Sequence, residues 1–469
     1  IWSDPADPIF EPYGPTDLPE GAAFNVTPIE HDTVGLYLSD EIAIEREIDR
    51  YAGFTTARQT ADIIKRLRAR APKKAAEIGG RRVPLKTRWL DLETGRFHDY
   101  TAEVAFTHKA TVDYIPDAPL RVFDLGGGVQ WDIESHVRQM FTDPATGAVD
   151  EECVALRWQL VEAILRPTAP WNQGVLVFNT SGNNGKSTDL LHLETLLGKE
   201  NRTTANLSYL ASRFGPQALD GKVAVICSEN VHGKVIDDST AVKTCITGDA
   251  TRIEPKGRPA YTVSKCYLVI QCANEFPRTR DDTSSLIRRW VVLVYYANFG
   301  SGGEVKEVKS TLIICREVLE YVVSKVVGRL LADGPSRRFI QPRSGLAALG
   351  EMREINDPVL SFANEVLPQI VSSVVPVKFV YDVYIAWLKS VNPSAFPMSM
   401  RRFNARLKEH VADLGLSWTA PSAVQRPRAC PEPVVSEFKV LDYFQPGRRS
   451  AAGRITPVFP AVAKCWVRL

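Results

Sequence analysis

The chain has 469 residues, of which 44% are hydrophobic and 24% charged, with a net charge of +2. At roughly 150 residues per domain this suggests about three domains of ordinary globular composition and excludes a disordered or fibrous chain. No apolar run approaches the ~18 residues a membrane-spanning helix needs, so no membrane partner is expected. The charge is uneven: residues 376–469 hold fourteen Lys/Arg against six Asp/Glu, and the remainder is mildly acidic. A basic tail on an acidic body suits a polyanion at one end, or is only a solvated basic surface. None of the eight cysteines forms a CxxC pair, and several lie in apolar strands, so reduced buried thiols in an intracellular protein are expected. No secretory leader opens the chain, and its first residue is Ile1, so a fragment with a domain upstream is also an expectation.

In chain order, residues 1–30 read as an extended Pro/Gly/Asp-rich lead-in. Residues 39–72 carry a helical pattern with Ile42, Ile44, Ile48, Tyr51, Ile63, Ile64 and Leu67 on its apolar face. Residues 89–96 read as strand then turn, 110–114 as a strand, and 132–166 as helix. Residues 174–295 alternate apolar strands with helices, the pattern of an α/β domain. A long helical run over about 304–333 closes it, and a Gly/Pro loop near 334–345 marks a boundary before a mixed tail. The expected domains are thus 1–84, mostly helical; 85–168, a β/α collar region; 169–335, the α/β core; and 345–469, the tail.

The strongest local signal is the run from Gly174 to Thr188, GVLVFNTSGNNGKST. It places a strand at 175–178, a turn at 180–185 and a helix opening at Lys186, the context of a phosphate-binding loop. Gly182, Asn183, Asn184, Gly185, Lys186, Ser187 and Thr188 are the candidate nucleotide-binding residues. Loop N–H groups and the helix N-terminus would face a β-phosphate, Lys186 would offset β- and γ-phosphate charge, and the Ser187 hydroxyl would take Mg²⁺. The strict GxxxxGK[ST] pattern fails at one place, because Thr180 occupies the first glycine position.

Three further strands follow. Residues 222–227 end in Ser228-Glu229, where a carboxylate beside a phosphate loop can polarise water or, read alone, merely caps a strand. Residues 266–273 end in Asn274, an amide able to hold the same water. Arg288 and Arg289 precede a strand at 291–295; they are surface charge, or a cation offered to a neighbouring subunit's phosphate. In the tail, Val377, Val380, Tyr381, Tyr384, Trp387 and Leu388 share one helix face. A second helix turns Phe403, Leu407 and Val411 inward and Arg401, Arg402, Asn404, Arg406 and Lys408 outward, either as a solvated basic helix or as one laid against DNA.

The runs NNGKST, LDGKVAVICSEN, VKTCITGDATRIEP, YLVIQCANEFP and LIRRWVVLVYY, in this order, resemble the superfamily-three helicase domain, in its phage, plasmid and poxvirus primase-helicase variety. Residues 90–119 resemble the segment before that ATPase, and 375–409 its C-terminal winged-helix module, so the likeness covers about 85–445. It implies a P-loop AAA+ core with an N-terminal helical collar (39–72 and 120–166) and a C-terminal winged helix. It also implies ATP and Mg²⁺, with Ser187 and Glu229 at the metal, and a DNA-unwinding ring in the host-cell cytoplasm, expected as a hexamer. Lys186, Glu229, Asn274 and Arg289, with Arg288 as runner-up, are the implied catalytic set. A pore hairpin is implied, with arms at 250–253 and 261–263 and Lys256 and Arg258 at a tip that is otherwise an exposed turn. No primase constellation stands in residues 1–130, so any primase or polymerase partner would be a domain upstream or another protein. Ser228 departs from the acidic pair usual in such ATPases. The alternative function is a DNA-binding replication initiator whose ATPase controls assembly without unwinding.

Overall fold

The computed structural model describes residues 34, 36, 41–53, 55–70, 79–179, 183–229, 235–236, 238–254, 260–279, 283–299, 305–391, 393, 395–421, 424–440 and 455–468. The lead-in at 1–30, Thr180, Gly182 and the hairpin tip with Lys256 and Arg258 lie outside them. The chain divides into two compact units, Ile1–Leu349 and Gly350–Leu469.

In the first unit, the helical stretch expected over 39–72 is two helices, Glu41–Ala52 and Ala57–Arg70. Gly53 stands between them at φ +71°, a left-handed conformation that ends the first helix. Ile48 and Ile64 are buried, but Tyr51 and Leu67 are exposed, so the expected apolar face is narrower than its spacing implied. Strands Arg82–Pro84, Arg88–Asp91 and Arg96–Asp99 form an antiparallel sheet, as the strand–turn reading of 89–96 expected. Residues 110–114 are not a strand. Their backbone is divided between two neighbours: Ala110 N–H donates to the Pro84 carbonyl, while Thr111 N–H donates to that of Leu196.

The single helix expected over 132–166 is two, Ile133–Met140 and Glu151–Leu165. Asp132 and Asp150 each accept a backbone N–H of the first turn, and two caps mean two starts. The run expected over 304–333 is likewise interrupted: Lys306–Ser310 and a 3₁₀ turn at Leu312–Ile314 precede helix Arg316–Asp333.

The centre of this unit is a five-stranded parallel sheet, in the order Trp290–Val294, Gly174–Phe178, Leu268–Ala273, Ala224–Cys227, Arg202–Thr203. Its three inner strands are buried at every position. A parallel strand covered on both faces reads as a continuous apolar run, which is why the sequence shows these strands so plainly. Gly174 admits no side chain, since a Cβ there would stand 2.7 Å from the Trp290 ring. Strands Thr251–Ile253 and Tyr261–Val263 pair antiparallel, giving the two arms expected of the hairpin.

The second unit has its own core, built on Phe362, Phe379, Tyr384, Phe403 and Trp466. Helix Pro358–Glu365 leads to strand Val374–Pro376, then to helices Val377–Val391 and Met400–Asp413. The last strand, Ala463–Arg468, lies between Val374–Pro376 and Trp418–Thr419 in an antiparallel sheet. Among the described residues no helix is long and apolar enough to cross a membrane, and all eight cysteines are free.

Candidate functional site

Strand Gly174–Phe178 is the point from which the sheet is built in both directions. The chain leaves it through helix Lys186–Leu197 toward the Arg202–Thr203 edge, and comes back past it to Trp290–Val294 on the other side. The carboxyl end of this strand is therefore the topological switch point, the place where open parallel sheets leave a crevice for ligands.

The register aligns three strand ends there. Phe178 pairs with Ala273, and Cys227 with Gln271, so Asn179, Asn274 and Glu229 all follow their strands at one edge. Gly185 makes the turn into the loop helix at φ +86°. A Cβ on it would meet Phe299 at 3.0 Å and Met140 at 3.3 Å, so the position needs glycine for both conformation and space. Asn183 is also left-handed, at φ +53°, and its carbonyl accepts the Phe299 N–H at 2.7 Å. Asn184 is buried, and its Oδ1 accepts the Lys186 N–H at 3.3 Å.

Lys186 reaches back across this edge. Its Nζ donates to Asn274 Oδ1 at 2.6 Å and to the Asn179 carbonyl at 3.3 Å. Burial holds its pKa below the ordinary lysine value. Two residues placed 88 positions apart, each singled out on separate grounds, thus meet in one hydrogen bond. Ser187 is exposed on the first turn of the helix, and Thr188 is half-buried beside it. Glu229 is exposed, and among the described residues its carboxylate has no hydrogen-bond or ion-pair partner. Among those residues no group of three His, Cys, Asp or Glu stands ready for a metal ion. Among the described residues the oxygen donors at this edge include the Ser187 and Thr188 hydroxyls and the Glu229 carboxylate, a set that fits Mg²⁺ shared with phosphate oxygens and water better than a closed protein cage.

The two arginines differ. Arg289 is half-buried: a guanidinium N–H₂ donates to the Ser285 carbonyl, its Nε is buried with no partner among the described residues, and its own carbonyl accepts the Gly174 N–H. Arg288 is exposed.

Behind the loop lies a network that the sequence reading missed. Asp189, three residues after Lys186, is fully buried and ion-paired with fully buried Arg157, at 2.7 and 3.0 Å. The Tyr295 hydroxyl donates to its second oxygen at 2.6 Å. Burial drives the Asp189 pKa up, but Arg157 and Tyr295 more than reverse this and hold it below the ordinary range. The cluster ties helix Glu151–Leu165, the loop helix and the end of strand Trp290–Val294 together. Its one sequence signal is a lone Arg inside an otherwise apolar helical run, CVALRWQLV.

In the tail, Arg401 and Arg402 are exposed on the first turn of helix Met400–Asp413, while Arg406 is half-buried and acts on Asp357. Asn404 does not face outward as its helical position suggested. It is half-buried, and its Oδ1 accepts the Trp466 indole N–H at 3.0 Å. Buried Asp357 caps helix Pro358–Glu365 and pairs with His410 at 2.8 Å.

Residues 178–289 match a family described as being of unknown function, DUF5906, and residues 354–429 match one described as Poxvirus D5 protein-like. The first spans the strand ends and the hairpin; the second spans the tail helices. Among solved structures, the apo NrS-1 C terminal region is 14% identical, over 76% of this chain and 77% of that one, with a TM-score of 0.38. A second apo form of that region (305–718) is 13% identical over 70% and 85%, with a TM-score of 0.39. A JCV helicase bound to an acetamide compound is 14% identical over 59% and 70%, with a TM-score of 0.20. In class, the first unit is a mixed α/β protein with a parallel sheet, consistent with a P-loop-type core. The tail segment is, in particular, similar to the D5 protein-like family.

Proposed function

We propose that the chain is an ATP-driven, ring-forming DNA helicase serving replication of a phage or other mobile element. The observation that carries the reading is the Lys186–Asn274 hydrogen bond at the switch point of the parallel sheet. A buried-stemmed ammonium beside a left-handed glycine and a helix N-terminus is the chemistry that receives a triphosphate.

In this reading Lys186 faces the β- and γ-phosphates, with Gly182, Asn183, Asn184, Gly185 and Thr188 around them. Ser187 holds Mg²⁺, with Glu229 near the metal; the ion would supply charge neutralisation at the phosphates. The exposed Glu229 carboxylate polarises the attacking water, and Asn274 holds that water at the same edge. The trans cation comes from the Arg288–Arg289 pair. Exposure favours Arg288, whereas the family resemblance points to Arg289. Shared sites require a ring, for which we take a hexamer with the N-terminal helices as collar. Lys256 and Arg258 at the hairpin tip contact single-stranded DNA in the pore. The tail is read as a winged helix on its helix–strand order and its match to the D5 protein-like family. Arg401 and Arg402 then meet duplex phosphates, with Arg406 behind them. The ring works in the host cytoplasm.

The test is ATP turnover. Lys186→Ala should lower phosphate release below detection, because it removes the cation facing the transferred charge. Glu229→Gln should bind nucleotide and not hydrolyse it. Near-normal turnover in Lys186→Ala would falsify the assignment.

A further inference from the structure

Between helices Val377–Val391 and Met400–Asp413 the chain makes a turn that presents Phe396 to solvent, 98% exposed. This is not a loose loop tip. Ala395 and Met398, on either side, pack against the tail core, and the Tyr381 hydroxyl donates to the Met398 carbonyl at 2.6 Å. Neighbours held inward on both sides leave Phe396 directed outward. Val391 and Met400 are also exposed beside it in the chain.

The charge that follows Phe396 in the chain is one-sided. Arg401 and Arg402 stand on the first turn of the following helix, which has no acidic residue there. Cations at a helix N-terminus oppose the helix dipole, so the arrangement is unfavourable without an anion. Among the described residues neither arginine has a carboxylate partner. An aromatic face followed within six residues by two unpaired guanidinium groups matches a nucleotide: a base to stack on and phosphates to pair.

We infer that Phe396 is a base-stacking residue, which takes an unpaired DNA base at a single-strand/duplex junction while Arg401 and Arg402 hold the adjacent phosphates. The inference rests on the reading of the tail as DNA-binding and adds to it the class of DNA recognised. Every base has a π face, so the contact is tolerant of sequence and selects for unstacked bases over paired ones.

The test uses the full chain with forked, single-stranded and fully paired DNA carrying 2-aminopurine at successive positions near the junction. On the fork, one position should be quenched on binding. Phe396→Ala should abolish that quench and weaken fork binding roughly 5- to 150-fold, the range of one aromatic–base stack. Phe396→Trp should restore both, and fully paired DNA should bind the variants alike. Arg401→Ala should instead make the salt dependence shallower by about one phosphate contact on every DNA. Unchanged fork affinity and quench in Phe396→Ala would overturn the inference and leave the DNA-binding reading intact. So would a change in particle mass with unchanged DNA binding, which would assign Phe396 to a protein interface. Absence of DNA binding by the wild type would overturn both.

Discussion

In the unit ending at Leu349 the decisive charges face inward: Arg157 and Asp189 are sealed behind the loop helix, and Lys186 bridges two strand ends. In the unit from Gly350 onward, Arg401, Arg402 and Lys408 face solvent around a core made almost wholly of aromatic and aliphatic side chains. In the proposed reading, Lys186 in the first unit and the arginines of the second each meet a phosphate. The first arrangement fixes one cation in space by hydrogen bonds to two strand ends, as positioning a small ligand requires. The second leaves several free to follow a long polyanion, where the sum of contacts matters more than any one.

That contrast is broken most directly at the arginine pair. Arg288→Ala and Arg289→Ala should be compared singly. The one that acts across the subunit boundary should lose about 10³-fold in turnover with nucleotide affinity nearly intact. Mixing it with Glu229→Gln protein should recover activity, because a mixed ring contains an interface with both groups intact. Two variants that each turn over normally would leave the proposed ring without a trans cation.

Stability gives the next largest difference. Arg157→Ala leaves Asp189 buried and uncompensated, and should cost about 3–5 kcal/mol in thermal or denaturant unfolding. Arg401→Ala, on a solvated helix turn, should stay within about 0.5 kcal/mol. Equal losses would erase the distinction between enclosed and exposed cations.

The two units also differ in their response to pH. His108 and His192 are held at about 3 and His136 at about 4, in each case chiefly by burial, so all three are neutral in the folded first unit. The unfolded chain takes up their protons below about 6.5, so the first unit should lose stability progressively from there down toward pH 4. Asp357 behaves otherwise. Burial raises its pKa, but the His410 hydrogen bond and the Arg406 charge outweigh burial and leave it lowered. Its contribution is present above the unfolded carboxyl value and should fade only below about pH 4. Hydrogen exchange followed peptide by peptide should show the first unit loosening at a higher pH than the turns around Asp357. Loosening of both together would contradict these assignments.

Much of this was legible in the residues. The parallel strands are buried on both faces and therefore stand out as apolar runs, and the residues just past them, Asn274 and Glu229, could be named from strand ends alone. Helix breaks were harder to read. The spacing of apolar residues continues through Gly53 and through 311–315, and only the capping and backbone conformation reveal the interruptions. The Arg157–Asp189 pair joins positions 32 residues apart, and no local pattern specifies such a partner. Asn404 reads as surface by helical position. Its inward role depends on Trp466, which the last strand delivers from the far end of the unit.

In the proposed reading, hydrolysis at the Lys186–Asn274 edge moves DNA. That coupling is tested most directly by strand displacement from a forked duplex, with ATP and with a non-hydrolysable analogue. Displacement is expected with ATP, none with the analogue, and none for Lys186→Ala under either condition. Wild-type protein that hydrolyses ATP on forked DNA yet displaces no strand would contradict it, and would mark the chain as an initiator whose ATPase governs assembly alone.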